Sequence, residues 1–152
     1  DRVGPALAIT TGMGTLGALM ASWLADRVGR IIPVTVALLV QVGMIALLQG
    51  QMSFLQFVVT AAVFQIFWNL NGPYLMGTIA LSDNTGKVSL LIPTAQIGGF
   101  FLGPIIAGRF LTAGEGFGPA NTVAVTCCLL ALALYIPTAI RLNRRLASQT
   151  AA

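Results

Sequence analysis

Two short stretches of this sequence carry side chains that could do chemistry. The first is FQIFWNLNGPYLMG, at 64–77, where Gln65, Trp68 and Asn69 fall within about 100° of arc on one helix face. Amides donate and accept hydrogen bonds, and an indole offers a flat wall for stacking. This face could therefore bind a small polar solute, or its amides could serve only to hydrogen-bond neighbouring helices.

Other polar groups near this face are weaker candidates. Asn71 lies about 120° around the helix from Gln65 and is expected to face elsewhere. Pro73 breaks the hydrogen-bond ladder, which is tolerated at membrane depth where a helix lines a cavity or is buried in protein. Tyr74 and, on a later helix, Gln96 complete the candidate set.

The second stretch is SWLADRVGRI, at 22–31, where Asp26, Arg27 and Arg30 follow a long uncharged run. Gly29 supplies the backbone freedom that a tight turn needs. A carboxylate at the end of a helix opposes the helix dipole, so Asp26 should pair with Arg27, with Arg30 or with the N-terminus of another helix. The alternative is a plain loop whose charges only mark the membrane surface.

The sequence contains few side chains that could act in catalysis or bind a metal ion. The sequence has no histidine and four carboxylates, and the carboxylates lie at the ends of apolar runs. Cys127 and Cys128 are adjacent within an apolar run and form no CxxC pair. We therefore expect no enzyme activity, no metal site and no cofactor.

The composition places these residues in lipid. Hydrophobic residues make up 57% of the chain and charged residues 8%, against roughly 25% charged in an average soluble domain. The mean hydropathy is +0.89. The hydrophobicity continues to Ile140, which a cleaved signal peptide would not explain. The composition indicates an integral membrane protein.

The charged residues divide the chain into pieces of membrane-crossing length. A helix needs about 20 apolar residues to cross the hydrocarbon core. The run at 31–82 is long enough for two crossings and breaks at the polar turn 49–53. Long continuous runs argue against a membrane barrel. The sequence predicts an all-α fold with transmembrane helices at 4–25, 31–49, 53–80, 88–111 and 118–141, followed by a tail at 142–152.

The positive charges predict the orientation. With the loop at 22–31 in the cytoplasm, most of the basic residues fall on that side: Arg27, Arg30, Lys87, Arg141, Arg144 and Arg145, against Arg2 and Arg109 outside. We expect a cell membrane of the bacterial inner-membrane type, with the C-terminus in the cytoplasm. The basic tail should meet lipid head groups of the bilayer, and we expect no nucleic-acid partner.

The loop sequence ADRVGR, at 25–30, resembles the loop motif of the major facilitator superfamily, G-x-L-x-D-R-x-G-R-R/K. The matching residues are Leu24, Asp26, Arg27, Gly29 and Arg30, whereas Ser22 and Ile31 depart from the motif. A degenerate copy followed by four helices resembles the second-half position in this family. The resemblance implies a partial C-terminal bundle, helices eight to twelve of a twelve-helix fold. Because the chain begins at Asp1 beside a helix, we expect the N-terminal bundle to be missing.

A second resemblance lies in GGFFLGPIIAGRF, at 98–110, which is similar to the G-x-x-x-G-P-x-x-x-G pattern of the family's eleventh helix. Gly99 and Gly103 share a face and allow another backbone to approach, and Pro104 allows a bend. Ordinary helix packing in any membrane protein is the alternative. A similar small-residue stripe lies on the first helix, at Gly17, Ala21 and Ala25.

The resemblance implies a secondary active transporter that moves a small solute by alternating access. The third helix would correspond to the family's tenth, which lines the central cavity. The implied substrate-binding residues are therefore Gln65, Trp68, Asn69 and Gln96. The implied cytoplasmic latch consists of Asp26, Arg27, Gly29 and Arg30, which would meet the missing N-terminal bundle. A small five-helix assembly protein that packs a partner through its glycine stripes stays open as the alternative.

Overall fold

The computed structural model describes residues 3–25, 27–48, 52–83, 85–114 and 116–150, and this part of the chain is helical with short turns and no strand. The helices are α1 (Val3–Leu24), α2 (Ile31–Leu47), α3 (Phe54–Ser82), α4 (Lys87–Thr112) and α5 (Gly118–Thr150). The prediction of an all-α fold is confirmed. The first four helices begin and end within two residues of the predicted positions. The predicted break at 49–53 lies mostly outside the described residues.

Helix α5 continues well past the predicted end at 141. The predicted end marks where the apolar run stops, but LNRRLASQT contains no glycine or proline that would stop a helix. Leu142 is 7% exposed and packs inward, and Leu146 lies one turn later on the same side. Much of the predicted tail therefore forms the last turns of α5.

The outer surface of this bundle is apolar. Leu90 on α4 is 77% exposed and Leu134 on α5 is 72% exposed, and many other large apolar side chains share this exposure. Four of the described helices, α1, α3, α4 and α5, are long and apolar enough to cross a membrane, and α2 is a shorter apolar helix of 17 residues. Lipid solvates such a surface well, whereas water does not.

Helix α3 is the centre of the bundle and contacts each of the other described helices. Helices α1 and α2 make its largest interfaces, and α2 also packs on α5. On α2, Val34, Ala37, Leu38, Gln41 and Ile45 are buried, and steps of three, four or seven residues place them on one face. This arrangement fixes α3 from two sides and leaves part of its surface open.

Two glycines let α1 approach α3 closely. A Cβ atom at Gly17 would overlap the main-chain carbonyl of Ile66, and one at Gly14 would meet the side chain of Asn69. Ala21, one turn after Gly17, is 3% exposed, while Ala25 is exposed. The small-residue stripe on α1 is therefore a packing surface for α3 over most of its length.

Candidate functional site

The face of α3 that the described helices leave open carries an aromatic pair. Trp68 is 48% exposed, and its ring stacks on that of Phe64 with a centroid separation of 6.0 Å and an interplanar angle of 21°. Phe64 precedes Trp68 by one helical turn, which is why the two rings lie one above the other. We call this surface the open face of α3.

The two candidate amides lie at the edge of the open face, beside α1. The side chains of Gln65 and Asn69 both come within 4 Å of where a Cβ atom of Gly14 would stand. Asn69 Nδ2 donates a hydrogen bond to the main-chain oxygen of Gln65 at 2.9 Å. No described residue hydrogen-bonds the side-chain amide of Gln65. The structure thus brings Gln65, Trp68 and Asn69 together on α3, and their role in binding stays a prediction.

The candidate residues on α4 do not lie beside the group formed by Gln65, Trp68 and Asn69. Gln96 is exposed, and among the described residues no hydrogen bond joins it to α3. Gly99 and Gly103 have no atom of a neighbouring element within 4 Å of where a Cβ would stand, and Pro104 is exposed beside them. No described residue of α4 is fully buried. The predicted close packing at this glycine stripe is not made within the described chain, and it stays a prediction about a partner.

Within the predicted latch loop, at 22–31, the described residues 27–30 form a turn that leads into α2. Gly29 has φ +66°, in the left-handed region that favours glycine, as predicted for this turn. The guanidinium of Arg27 lies over the ring of Trp23, 4.4 Å from its centroid, in a cation–π contact. Asp26 lies outside the described residues, so its predicted pairing is untested. Nη1 of Arg30 is buried without a hydrogen-bond partner among the described residues.

Hydrogen bonds from two tyrosine hydroxyls hold this loop and α1 to the bundle, and sequence reasoning missed them. The hydroxyl of Tyr135 donates to the main-chain oxygen of Arg30 at 3.3 Å and lies 3.2 Å from Oγ1 of Thr78. One turn before Thr78, the hydroxyl of Tyr74 donates to the main-chain oxygen of Ala21 at 3.2 Å. The available signal was the occurrence of these hydroxyls within apolar runs, because a buried polar group needs a partner.

Two buried amides form a second feature that sequence reasoning did not identify as a site. Gln41 on α2 is 1% exposed and Asn71 on α3 is 6% exposed. Nε2 of Gln41 and Oδ1 of Asn71 have no hydrogen-bond partner among the described residues. The burial of Asn71 agrees with the prediction that it faces away from Gln65. Gln41 is the lone amide within an otherwise apolar stretch of α2, which was the signal for it.

The turn between α3 and α4 is organised by Asp83. Its Oδ2 accepts a hydrogen bond from the main-chain N–H of Ser89 at 2.8 Å, and its Oδ1 accepts two from Thr85, at 3.1 and 3.0 Å. The carboxylate therefore caps the first turn of α4. These hydrogen bonds, chiefly that from Ser89, lower the pKa of Asp83 from 3.8 to about 2.

This capping predicts an acid-sensitive turn. Because the pKa of Asp83 is lower in the folded chain, its contribution to stability is complete above its ordinary value of 3.8 and is lost as pH falls towards about 2. Amide hydrogen exchange at Ser89 should therefore accelerate, relative to intrinsic exchange, across this window. Asp83→Asn should remove this pH dependence. An unchanged pH profile in that variant would contradict the assignment.

Comparison of the chain with protein-family models, with curated proteins and with solved structures finds no match. The class of protein therefore follows from the chain's own features. Long apolar helices pack around a central helix, and apolar side chains cover the outside of the bundle. These are the features of a helical, multi-pass membrane protein.

Proposed function

We propose that the chain is part of a secondary active transporter of the major facilitator superfamily, corresponding to helices eight to twelve, and that it moves a small solute by alternating access. One observation carries the proposal. Helix α3 contacts every other described helix, yet its open face leaves Trp68 48% exposed beside two amides. Polar side chains at membrane depth are costly against lipid, so their place on a central helix fits the border of a solute cavity better than a lipid-facing surface.

The amides fit the edge of such a cavity. Gln65 and Asn69 lie where α1 meets α3, so α1 would form one wall and the ring of Trp68 another. The donors and acceptors of the Gln65 amide are not used by any described residue, which leaves them for a solute. An uncharged polar solute with an apolar or planar surface suits this set of groups.

The latch loop has the features that alternating access needs. Gly29 makes the turn tight, and the stacking of Arg27 on Trp23 places a cation at its surface. A loop of this kind can bias one conformational state by a few kcal/mol at most when it meets the opposite bundle. We propose that the loop lies on the cytoplasmic side and meets the N-terminal bundle there, and that this bundle also holds the site for any coupling ion.

Cysteine labelling of the full-length transporter tests the open face. With Cys127 and Cys128 replaced by alanine, we expect Trp68→Cys to react with a membrane-impermeant maleimide, because a solute cavity contains water. The reaction should be several times faster than that of Leu134→Cys, which replaces a residue that is 72% exposed on the outside of α5. Both variants replace an exposed apolar side chain at membrane depth, so lipid exposure alone would treat them alike.

The result has two readings. Labelling at position 68 from both sides of the membrane, with protection by a transported solute, would support an alternating cavity. Equal, slow labelling at positions 68 and 134 would place Trp68 in lipid and contradict the proposal. Uptake of a panel of neutral polar solutes by cells that express the full-length protein would then identify the substrate.

A small assembly protein is the second candidate, and the exposure of α4 favours it. Helix α4 has no fully buried residue among those described and presents Gly99 and Gly103 on an uncovered surface. That surface fits an opposing helix, whether from the same chain or from another protein. A gene that encodes about seven further apolar runs upstream would favour the transporter, whereas a start codon directly before Asp1 would favour the assembly protein.

A further inference from the structure

A groove between α3 and α5 is lined by two arginines. Arg141 and Arg145 lie four residues apart on α5 and both face a groove of about 290 Å³. Ser82 from the end of α3 and Gln149 from the end of α5 also line it. No carboxylate is among the described residues that line this groove, so it concentrates positive charge.

A second, apolar groove adjoins the first. It has a volume of about 350 Å³, and its walls include Leu75 and Ile79 from α3 and Ala131 and Leu134 from α5. Along α5, the step from Ala131 to Arg141 spans about 15 Å at 1.5 Å per residue. The apolar groove therefore runs from the arginines towards the middle of the helices, which is the direction of the hydrocarbon core.

The two grooves are continuous, because Ser82 and Thr138 line both. The hydroxyl of Ser82 donates to the main-chain oxygen of Thr78 at 2.8 Å, and that of Thr138 donates to the oxygen of Leu134 at 2.9 Å. Each hydroxyl already has a hydrogen-bond acceptor within its own helix. An apolar acyl chain could therefore cross the junction between the grooves without leaving a polar group unpaired. Asp83 borders the apolar groove, but both of its carboxylate oxygens accept hydrogen bonds from the α3–α4 turn.

We infer that this continuous surface, the lipid groove, binds one anionic phospholipid from the leaflet at this end of the helices. The guanidinium groups of Arg141 and Arg145 match the geometry and charge of a phosphate. The apolar groove lies where an acyl chain of such a lipid would extend from the arginines towards the hydrocarbon core. The inference needs a membrane-embedded chain but not a transport activity, and it assigns a defined site beyond the general attraction of basic residues to anionic lipid.

Native mass spectrometry of the chain released from nanodiscs tests the site. In nanodiscs of mixed phosphatidylcholine and phosphatidylglycerol, we expect one phosphatidylglycerol to be retained in preference. The double variant Arg141→Gln, Arg145→Gln should lower this retention roughly tenfold or more, because two arginine–phosphate contacts are lost. Ala131→Phe, which fills the apolar groove without changing charge, should also lower it.

A matched control separates the groove from net charge. Lys87→Gln with Arg144→Gln removes two positive charges at the same end of the helices that do not line either groove, so retention should be unchanged. An equal loss in this control would mean a general surface attraction and would overturn the proposal. Excess inorganic phosphate should not displace the lipid. Complete displacement by phosphate, or full retention in Ala131→Phe, would overturn the acyl-chain part of the site.

Discussion

Replacing Gly17 with valine is expected to prevent α1 from docking on α3. Any Cβ at this position would overlap the main-chain carbonyl of Ile66, and a helix backbone cannot move aside as a flexible side chain can. Overpacking a tight contact costs about 1–3 kcal/mol, and more where backbone must shift. We expect the free energy of unfolding to fall by about 3 kcal/mol or more, a large fraction of the roughly 5–15 kcal/mol by which folded domains are stable.

The same substitution at Gly12 provides the control. Gly12 lies on α1 but has no neighbouring atom within 4 Å of where a Cβ would stand. Gly12→Val should therefore change stability by little, although it has the same effect on helix propensity and apolarity. The measurements are the monodisperse fraction in detergent and unfolding by SDS, followed by circular dichroism. Similar losses in the two variants would show that α1 does not depend on a close approach at Gly17.

Tyr135→Phe is expected to release the latch loop from the bundle. The Tyr135 hydroxyl donates to the main-chain oxygen of Arg30 and lies 3.2 Å from Oγ1 of Thr78. Its removal takes away the bond to Arg30, whereas Thr78 keeps its bond to the main-chain oxygen of Tyr74. Losing one such hydrogen bond costs about 0.5–1.5 kcal/mol. The phenylalanine ring keeps the packing, so the loss should come from the hydrogen bonds. We expect lower stability and faster hydrogen exchange at the amides of Arg27 and Val28.

A double-mutant cycle with Thr78→Val tests whether these hydroxyls act together. Residues in one buried network couple, so the double variant should cost less than the sum of the single variants. Thr126→Val on α5 is the control, because its exposed hydroxyl bonds only within its own helix, to the oxygen of Thr122 at 2.8 Å. Strict additivity, or equal exchange rates in the loop of Tyr135→Phe and the unsubstituted protein, would contradict the network.

These two contacts share a consequence for function. Gly17 fixes α1 on one side of α3, and Tyr135 ties α5 and the latch loop to the other side through Thr78. Helix α3 is thereby held from two sides, and the described residues leave its open face uncovered. In the proposed transporter, a wall fixed in this way would lower the entropic cost of binding a solute.

Sequence reasoning placed the helices well because membrane insertion depends on local composition. Runs of about 20 apolar residues bounded by charges or glycine are sufficient to predict a crossing. The same reasoning predicted the turn at Gly29, since a tight connection needs a left-handed residue. It was wrong at the end of α5, where the apolar run stops at Ile140 but the helix continues to Thr150. The polar residues after Ile140 include good helix formers and no glycine or proline, so the helix continues beyond the apolar run.

Local composition could not predict which helices contact one another. Tyr135 and Arg30 are 105 residues apart, and their hydrogen bond depends on which face of α5 meets the start of α2. The glycines of α1 and α4 look alike in sequence, yet those of α1 pack on α3 and Gly99 and Gly103 on α4 have no neighbour in the described chain. In lipid, apolar side chains gain little from choosing one apolar neighbour over another, so the pairing of helices depends on close fit and hydrogen bonds formed only on assembly.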